Sequence, residues 1–202
     1  MGGLRVIAGE FRSRRLKTPR GDEVRPTPDR LREALFNVLA PRIGDAVFVD
    51  AYAGSGAVGI EALSRGAQRA IFIERSRAAA EVIRENLAEL GIERRAEVIV
   101  KKAATVLAEI TADIAFVDPP YALEREYLMA LESLGDAHIP LVIVQHASRF
   151  ELSGTYGQLQ RTRTLRQGDN TLSLYAGEST LHGERVPPEH GTHDQSDDDH
   201  EH

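Results

Sequence analysis

The sequence predicts an α/β protein built on a doubly wound, mostly parallel sheet, with a short hairpin and helix in front of it. Three observations lead there. Short apolar runs rich in valine and isoleucine alternate with amphipathic helical stretches between residues 46 and 145. Strands covered on both faces read as such continuous runs, and parallel neighbours need a crossover, usually a helix, between them. Two later runs, 158–166 and 171–176, alternate polar and apolar instead. They are joined by Gln167-Gly168-Asp169-Asn170, a hairpin signal that finishes the sheet with an antiparallel strand.

Residues 1–43 form the leading extension. LRVIAGEFRSRRLKTP alternates weakly around Gly9-Glu10 and reads as a short hairpin or extended arm. Thr27-Pro28-Asp29 reads as an N-cap, a proline at the first helical position and an acid in the first turn. LREALFNVLA then puts Leu31, Ala34, Leu35, Val38 and Leu39 on one face, so a helix covers 28–40. The main body runs over 44–177. Its parallel strands are AVFVD (46–50), RAIFIE (69–74), AEVIVK (96–101), DIAFVD (113–118) and PLVIVQ (140–145). Its helices are 57–66, 77–91 with Gly91 as the terminating residue, a short one at 103–110, and 124–135. After Gly177 the chain turns polar and charged, which reads as a disordered tail over 178–202.

At 202 residues with 42% apolar content the chain suits one domain with appendages. There are no cysteines, which excludes disulfides, thiolate metal sites and cysteine nucleophiles. No apolar run approaches a membrane span and the start carries no signal-type segment, so a cytoplasmic protein is expected. The net charge of −6 is unevenly spread. The tail holds eight acids against Arg185, and residues 1–25 hold seven bases against three acids. A basic arm thus leads, a near-neutral body follows and an acidic tail closes the sequence. His182, His190, His193, His200 and His202 lie in that tail, where a solvated extension is the expectation rather than a metal site.

The first chemical signal follows the first strand. DAYAGSGAVG (50–59) places Gly54, Gly56 and Gly59 in a G-x-G-x-x-G turn, with Glu74 twenty residues after Gly54. Such a turn lets a ligand approach bare backbone and a helix pack closely on its strand, while the acid suits ribose hydroxyls. A Rossmann-like dinucleotide site and an S-adenosylmethionine (SAM) site both answer to this. Asp50 favours SAM, since a carboxylate there suits a cationic amino group and would repel a pyrophosphate.

The second signal is the corner Asp118-Pro119-Pro120-Tyr121 at the end of the fourth strand. In the doubly wound order that strand lies beside the first, so Asp118 and Asp50 share one rim. The prolines lack N–H groups and stiffen the loop, which leaves a rigid carbonyl acceptor beside the Asp118 carboxylate. Two acceptors and an aromatic face fit a planar base with an exocyclic amine, held for direct in-line methyl transfer.

With these stretches in view, the sequence resembles the RsmD-type family of 16S rRNA guanine-N2 methyltransferases. The likeness spans residues 4–177 and rests on RVIAGEFRSRRL (5–16), RPTPDRLREALFNVL (25–39), DAYAGSGAVGIEALSRGA (50–67) and DPPY (118–121). The resemblance implies a seven-stranded class I SAM-dependent fold and one guanine of the small-subunit rRNA as target, with naked RNA, the small-subunit particle and an assembly intermediate all left as candidate substrates. It assigns the base to Asp118, Pro119, Pro120 and Tyr121. The candidate cofactor residues are Asp50, Tyr52, Gly54, Ser55, Gly56, Gly59, Glu74, Arg75 and, after the third strand, Ala103. Departures are few. Ala51-Tyr52 replaces the usual Leu-Phe, and Lys101-Lys102-Ala103-Ala104 has no acid or amide for adenine, so a backbone N–H substitutes. The 140–145 strand ends in Gln145-His146 rather than an acid.

A target guanine must be exposed or flipped to reach such a corner. The basic arm is the candidate grip on phosphates, through Arg12, Arg14, Arg15, Lys17, Arg25 and Arg30. No metal and no membrane is expected, and a monomer is the default. Rival readings are a DNA adenine or cytosine amino-methyltransferase, a protein-glutamine methyltransferase, an NAD-dependent oxidoreductase and a non-catalytic RNA-binding module. The first lacks a target-recognition insertion. The second more often starts its corner with Asn and carries a helical N-terminal domain. The third leaves Asp50 and the proline corner unexplained, and the fourth needs neither signal.

Overall fold

The five apolar runs stand side by side in one sheet. A computed structural model describes residues 3–19, 27–120, 123–137 and 139–177. Arg25, Tyr121 and the acidic segment 178–202 fall outside these residues. Parallel strands β1 (Val47–Asp50), β2 (Arg69–Ile73), β3 (Ala96–Ile99), β4 (Ile114–Val117) and β5 (Leu141–Ala147) are followed by antiparallel β6 (Thr155–Tyr156), β7 (Leu159–Gln167) and β8 (Asn170–Gly177). Their spatial order is β3-β2-β1-β4-β5-β8-β7-β6. The last strand therefore inserts between β5 and β7. Order reverses next to β1, which opens a crevice at the carboxyl ends of β1 and β4.

The strand count is eight rather than seven. The extra strand is β6, two residues long, paired through Tyr156 opposite Leu159. Gly157 makes the turn possible, with φ +53 and its Cα pressed on Gly135, where a Cβ would stand 2.7 Å from the Gly135 carbonyl oxygen.

Each central strand feeds two layers, because successive side chains point to opposite faces. Phe48, Phe72, Phe116 and Ile143 face helices α1 (Asp29–Leu39), α2 (Ala57–Ser64) and α3 (Arg77–Leu90). Val49, Ile73, Val117 and Val144 face α4 (Glu124–Gly135) on the other side. The expected helix at 103–110 is instead two single 3₁₀ turns, Ala103–Thr105 and Leu107–Glu109. The stretch is short and its centre holds β-branched Thr105 and Val106, which disfavour continuous helix. Thr105 further donates its hydroxyl to the Lys102 carbonyl at 2.7 Å.

The extension is a hairpin and a helix, as expected, and both share the main core. Val6 and Leu16 of the hairpin and Leu31, Leu35, Phe36 and Leu39 of α1 are buried among the strand residues. The hairpin closes through Val6 N–H to the Arg14 carbonyl (3.0 Å) and Leu16 N–H to the Leu4 carbonyl (2.9 Å). It is docked on α2 by a fully buried carboxylate: Glu61 accepts the N–H groups of Ile7 (2.7 Å) and Ala8 (3.0 Å). A buried carboxylate needs compensating charge. Arg65 donates to Glu61 at 2.7 Å, and buried Arg32 of α1 stands 4.0 Å away. At Gly9, φ +81, a Cβ would meet the Ser64 carbonyl oxygen at 1.9 Å, so only glycine lets the strand lie this close.

The start of α1 differs from expectation. The helix begins at Asp29 with Pro28 in the capping place, and no side chain caps it. Thr27 directs its hydroxyl elsewhere, into the crevice.

Candidate active site

The crevice is a cavity of ≈840 Å³ that joins both sequence signals: Gly54, Glu74 and Ala103 line one part, and Asp118, Pro119 and Pro120 another. Pro19 and Thr27, from the two sides of the link between hairpin and α1, also line it.

The glycine turn is held from below. Asp50 is buried and accepts the N–H of Gly59 at 2.9 Å, which satisfies one of the open donors in the first turn of α2. Gly56 sits at φ +78 in the capping place of that helix. At Gly59 a Cβ would come within 2.3 Å of the Phe72 ring, so this glycine sets the close packing of α2 on β2. Glu74 closes the turn from the side, accepting from Gly54 N–H (2.9 Å) and Ser76 N–H (2.7 Å). A carboxylate has about four lone-pair positions, so both of its oxygens keep capacity for a ligand's hydroxyls. Ser55 is buried and its carbonyl accepts from Asn86 at 3.1 Å. Asn86 also bonds both backbone groups of Lys17, tying the end of the hairpin to the turn.

The corner is built from three elements. Asp118 is half-buried, and its Oδ2 accepts the Thr27 hydroxyl at 3.2 Å. Pro119 is buried and its carbonyl accepts the hydroxyl of fully buried Tyr127 on α4 at 3.1 Å. The carbonyl expected to stand without a backbone donor is therefore aimed by a side chain, with its second lone pair remaining. Pro120 is exposed and its carbonyl starts the turn into α4.

Two carboxylates in this crevice have raised proton affinity, chiefly through burial. Burial pushes Asp118 up to about 8, opposed by the Thr27 hydrogen bond and helped by the charge of Asp50. Burial likewise pushes Asp50 up to about 7, opposed by the Gly59 N–H and helped by Glu74. On the rim Tyr52 donates its hydroxyl to Glu126 at 3.1 Å. Burial, then the Glu126 charge, raise the Tyr52 pKa, while Arg75 nearby lowers it.

A family model described as conserved hypothetical protein 95 matches residues 4–176. Among curated proteins, ribosomal RNA small subunit methyltransferase D of Escherichia coli is 45% identical over 138 residues, 66% of this chain and 69% of that protein. The candidate rRNA methyltransferase YlbH of Bacillus subtilis is 34% identical over 182 residues, 85% of this chain and 98% of its own. The chain belongs to the RsmD family. The solved structure of the candidate methyltransferase yhhF of Escherichia coli superposes with a TM-score of 0.75 at 38% identity, covering 88% of this chain and 99% of that one. The fold is thus that of the SAM-dependent methyltransferases, with β6 as an addition.

Within this RsmD-family fold the basic residues of the arm are scattered. Arg12 sits beyond Gly9 at the hairpin tip, which packs on Ser64 at the end of α2 away from the crevice. Arg14 donates to the Glu89 carbonyl at 3.1 Å, and Lys17 pairs with Glu85 and Glu89 on α3. Arg15 and Arg30 are exposed, Arg30 in the first turn of α1. Arg75, Lys101 and Lys102 line the crevice itself. So do Gln145 and Asn170, at the facing ends of β5 and β8, while the adjacent His146 bonds Ser173 at 2.9 Å. Sequence reasoning missed Thr27, Tyr127 and Glu126 as site residues. No local pattern marks Tyr127 and Glu126, and the Thr-Pro-Asp pattern pointed Thr27 to a different role. No helix among the described residues is long and apolar enough to cross a membrane.

Proposed function

We propose that this RsmD-family methyltransferase acts on the exocyclic N2 amine of one guanine in the rRNA of the small ribosomal subunit, in free RNA or an assembling particle. One observation carries this reading. Two aimed acceptors, the Asp118 carboxylate and the Pro119 carbonyl, line the same cavity as the glycine turn. An exocyclic amine presents two N–H groups, and this pair accepts both.

The residues of the turn fit SAM. Gly54 brings bare backbone to the cavity wall, and Gly56 and Gly59 let α2 pack closely behind it on Ile83 and Phe72. Glu74 is an anchored acceptor placed for ribose hydroxyls. Asp50 gives negative charge for the amino group, and the Ala103 backbone stands for adenine recognition in place of a side chain. Tyr52, Ser55 and Arg75 complete the wall. When bound, SAM supplies a methyl group on a sulfonium centre. The chain does the rest by position: Asp118 and Pro119 orient the amine nitrogen, and the stiff corner restricts its motion. Asp118 in its ionised form also takes the proton that the nitrogen loses. Tyr121 supplies the stacking face. Arg12, Arg14, Arg15, Lys17, Arg25 and Arg30 engage RNA phosphates, and all of those described are exposed.

Transfer of tritium from labelled SAM to rRNA and to 30S particles, followed by mapping of the modified base, tests the proposal. Label on guanine N2 at one position supports it. Label on adenine or cytosine, or on DNA in a parallel reaction, assigns the enzyme to the rival amino-methyltransferase reading.

A further inference from the structure

An aspartate in a loop ordinarily satisfies its carboxylate with the backbone N–H two residues on. Asp118 cannot do so, because the next two residues are Pro119 and Pro120 and neither has an N–H. The donor comes from 91 residues earlier in the chain: Thr27 Oγ1 stands 3.2 Å from Asp118 Oδ2.

The start of α1 makes this donor available. Pro28 is extended (φ −56, ψ 142) and its carbonyl accepts from Leu31 (2.9 Å) and Arg32 (3.0 Å), so the helix starts without using the Thr27 hydroxyl. A residue before proline is kept out of the helical region, which holds Thr27 extended toward the crevice. The helix behind it is fixed by buried Arg32, which donates to the Arg5 carbonyl at 2.9 Å and to Asp29 at 2.7 Å. Through Glu61, the same cluster joins the hairpin to α2. The extension thereby delivers one hydroxyl to the reactive corner.

We infer that Thr27 is a positioning residue for Asp118: its hydroxyl occupies one carboxylate oxygen and leaves the other for the amine of the base. The inference rests on the proposed role of Asp118. A hydroxyl donor also favours the ionised carboxylate, against burial and against Asp50 at the end of β1. The other charged groups on the cavity wall are Glu74 and Arg75 after β2, Lys101 and Lys102 after β3, and Glu126 on α4.

The test is a set of kcat–pH profiles for the wild-type enzyme, Thr27→Val and Thr27→Ser, with SAM affinity measured by calorimetry. Thr27→Val is expected to move the acid limb to higher pH and to lower kcat roughly tenfold at neutral pH, with the loss shrinking as pH rises. Thr27→Ser restores both, and SAM affinity stays unchanged in each variant. The inference is overturned if Thr27→Val keeps the wild-type rate and limb. It is equally overturned if Val and Ser lose activity alike with the limb unmoved. Asp118→Ala, run in the same assay, keeps the two levels apart. Full turnover in that variant removes Asp118 from the reaction, whereas loss of turnover beside a wild-type-like Thr27→Val removes only the positioning role. If Thr27→Val does not fold, Thr27→Ala read against Thr27→Ser makes the same comparison.

Discussion

Tyr127, fully buried on α4, donates its hydroxyl to the Pro119 carbonyl at 3.1 Å. The corner is therefore stiffened twice, by its own proline rings and by a helix on the far face of the sheet. Removing the hydroxyl leaves the ring packed and frees the carbonyl. Tyr127→Phe is expected to lower kcat several-fold while leaving SAM affinity unchanged, and to cost about 1 kcal/mol in denaturant unfolding. Single-turnover kinetics with calorimetry separates these effects. A weakened SAM affinity with normal kcat would place Tyr127 with the cofactor half instead.

The two crevice carboxylates give the ligand-free enzyme a pH-dependent stability. Asp50 and Asp118 are raised from an ordinary 3.8 to about 7 and about 8. Inside that window the folded chain holds protons that the unfolded chain releases, so stability falls as pH rises. This contribution is complete below the ordinary aspartate value and lost on passing through the raised values. Melting temperature is expected to drop between pH 5 and 8 by this mechanism. Asp50→Asn should flatten the drop, gaining stability at pH 8 and little at pH 4, while weakening SAM binding. Scanning calorimetry across pH measures it, and an unchanged slope in Asp50→Asn would contradict it.

Glu61 tests the docking of the extension. Glu61→Gln keeps the shape but brings an amide donor against one of the two backbone N–H groups, leaves Arg65 without its anion and leaves Arg32 with Asp29 alone. Breaking a buried charge pair on one side typically costs about 3–5 kcal/mol. Hydrogen exchange at Ile7 and Ala8 is expected to quicken sharply in this variant. Protection as in the wild type would show that apolar burial of Val6 and Leu16 suffices to hold the hairpin.

What could be read without coordinates was what depends on neighbours in sequence. The glycine turn, Asp50, Glu74 and the fourth strand's place beside the first follow from patterns along the chain, and the structure brings them to one crevice. The insertion of β8 between β5 and β7 is not announced by any of them. Thr27 was misplaced because Thr-Pro-Asp is a good capping pattern, and nothing local shows that Pro28 takes that place while the hydroxyl faces Asp118. Tyr127 and Glu126 read as ordinary positions of an amphipathic helix. Glu61 lies in a helix that the sheet, α1 and the hairpin enclose completely. A lone acid in such a helix cannot be told from a solvated one until its partners, fifty residues upstream, are in place. The two-residue β6 depends on the contact between Gly157 and Gly135, which no periodicity announces.

The order β5-β8-β7 has a consequence for how the chain matures on the ribosome. Strand β7 is synthesised before the strand that must separate it from β5, so until residues 170–177 have emerged its only strand partner is the two-residue β6. Until then the edge of β5 is open, and Leu172, Leu174 and Tyr175, which later bury there, have not been made. Asn170, the first residue of that final strand, lines the crevice. One part of the crevice wall and the far half of the sheet thus close in the same late step.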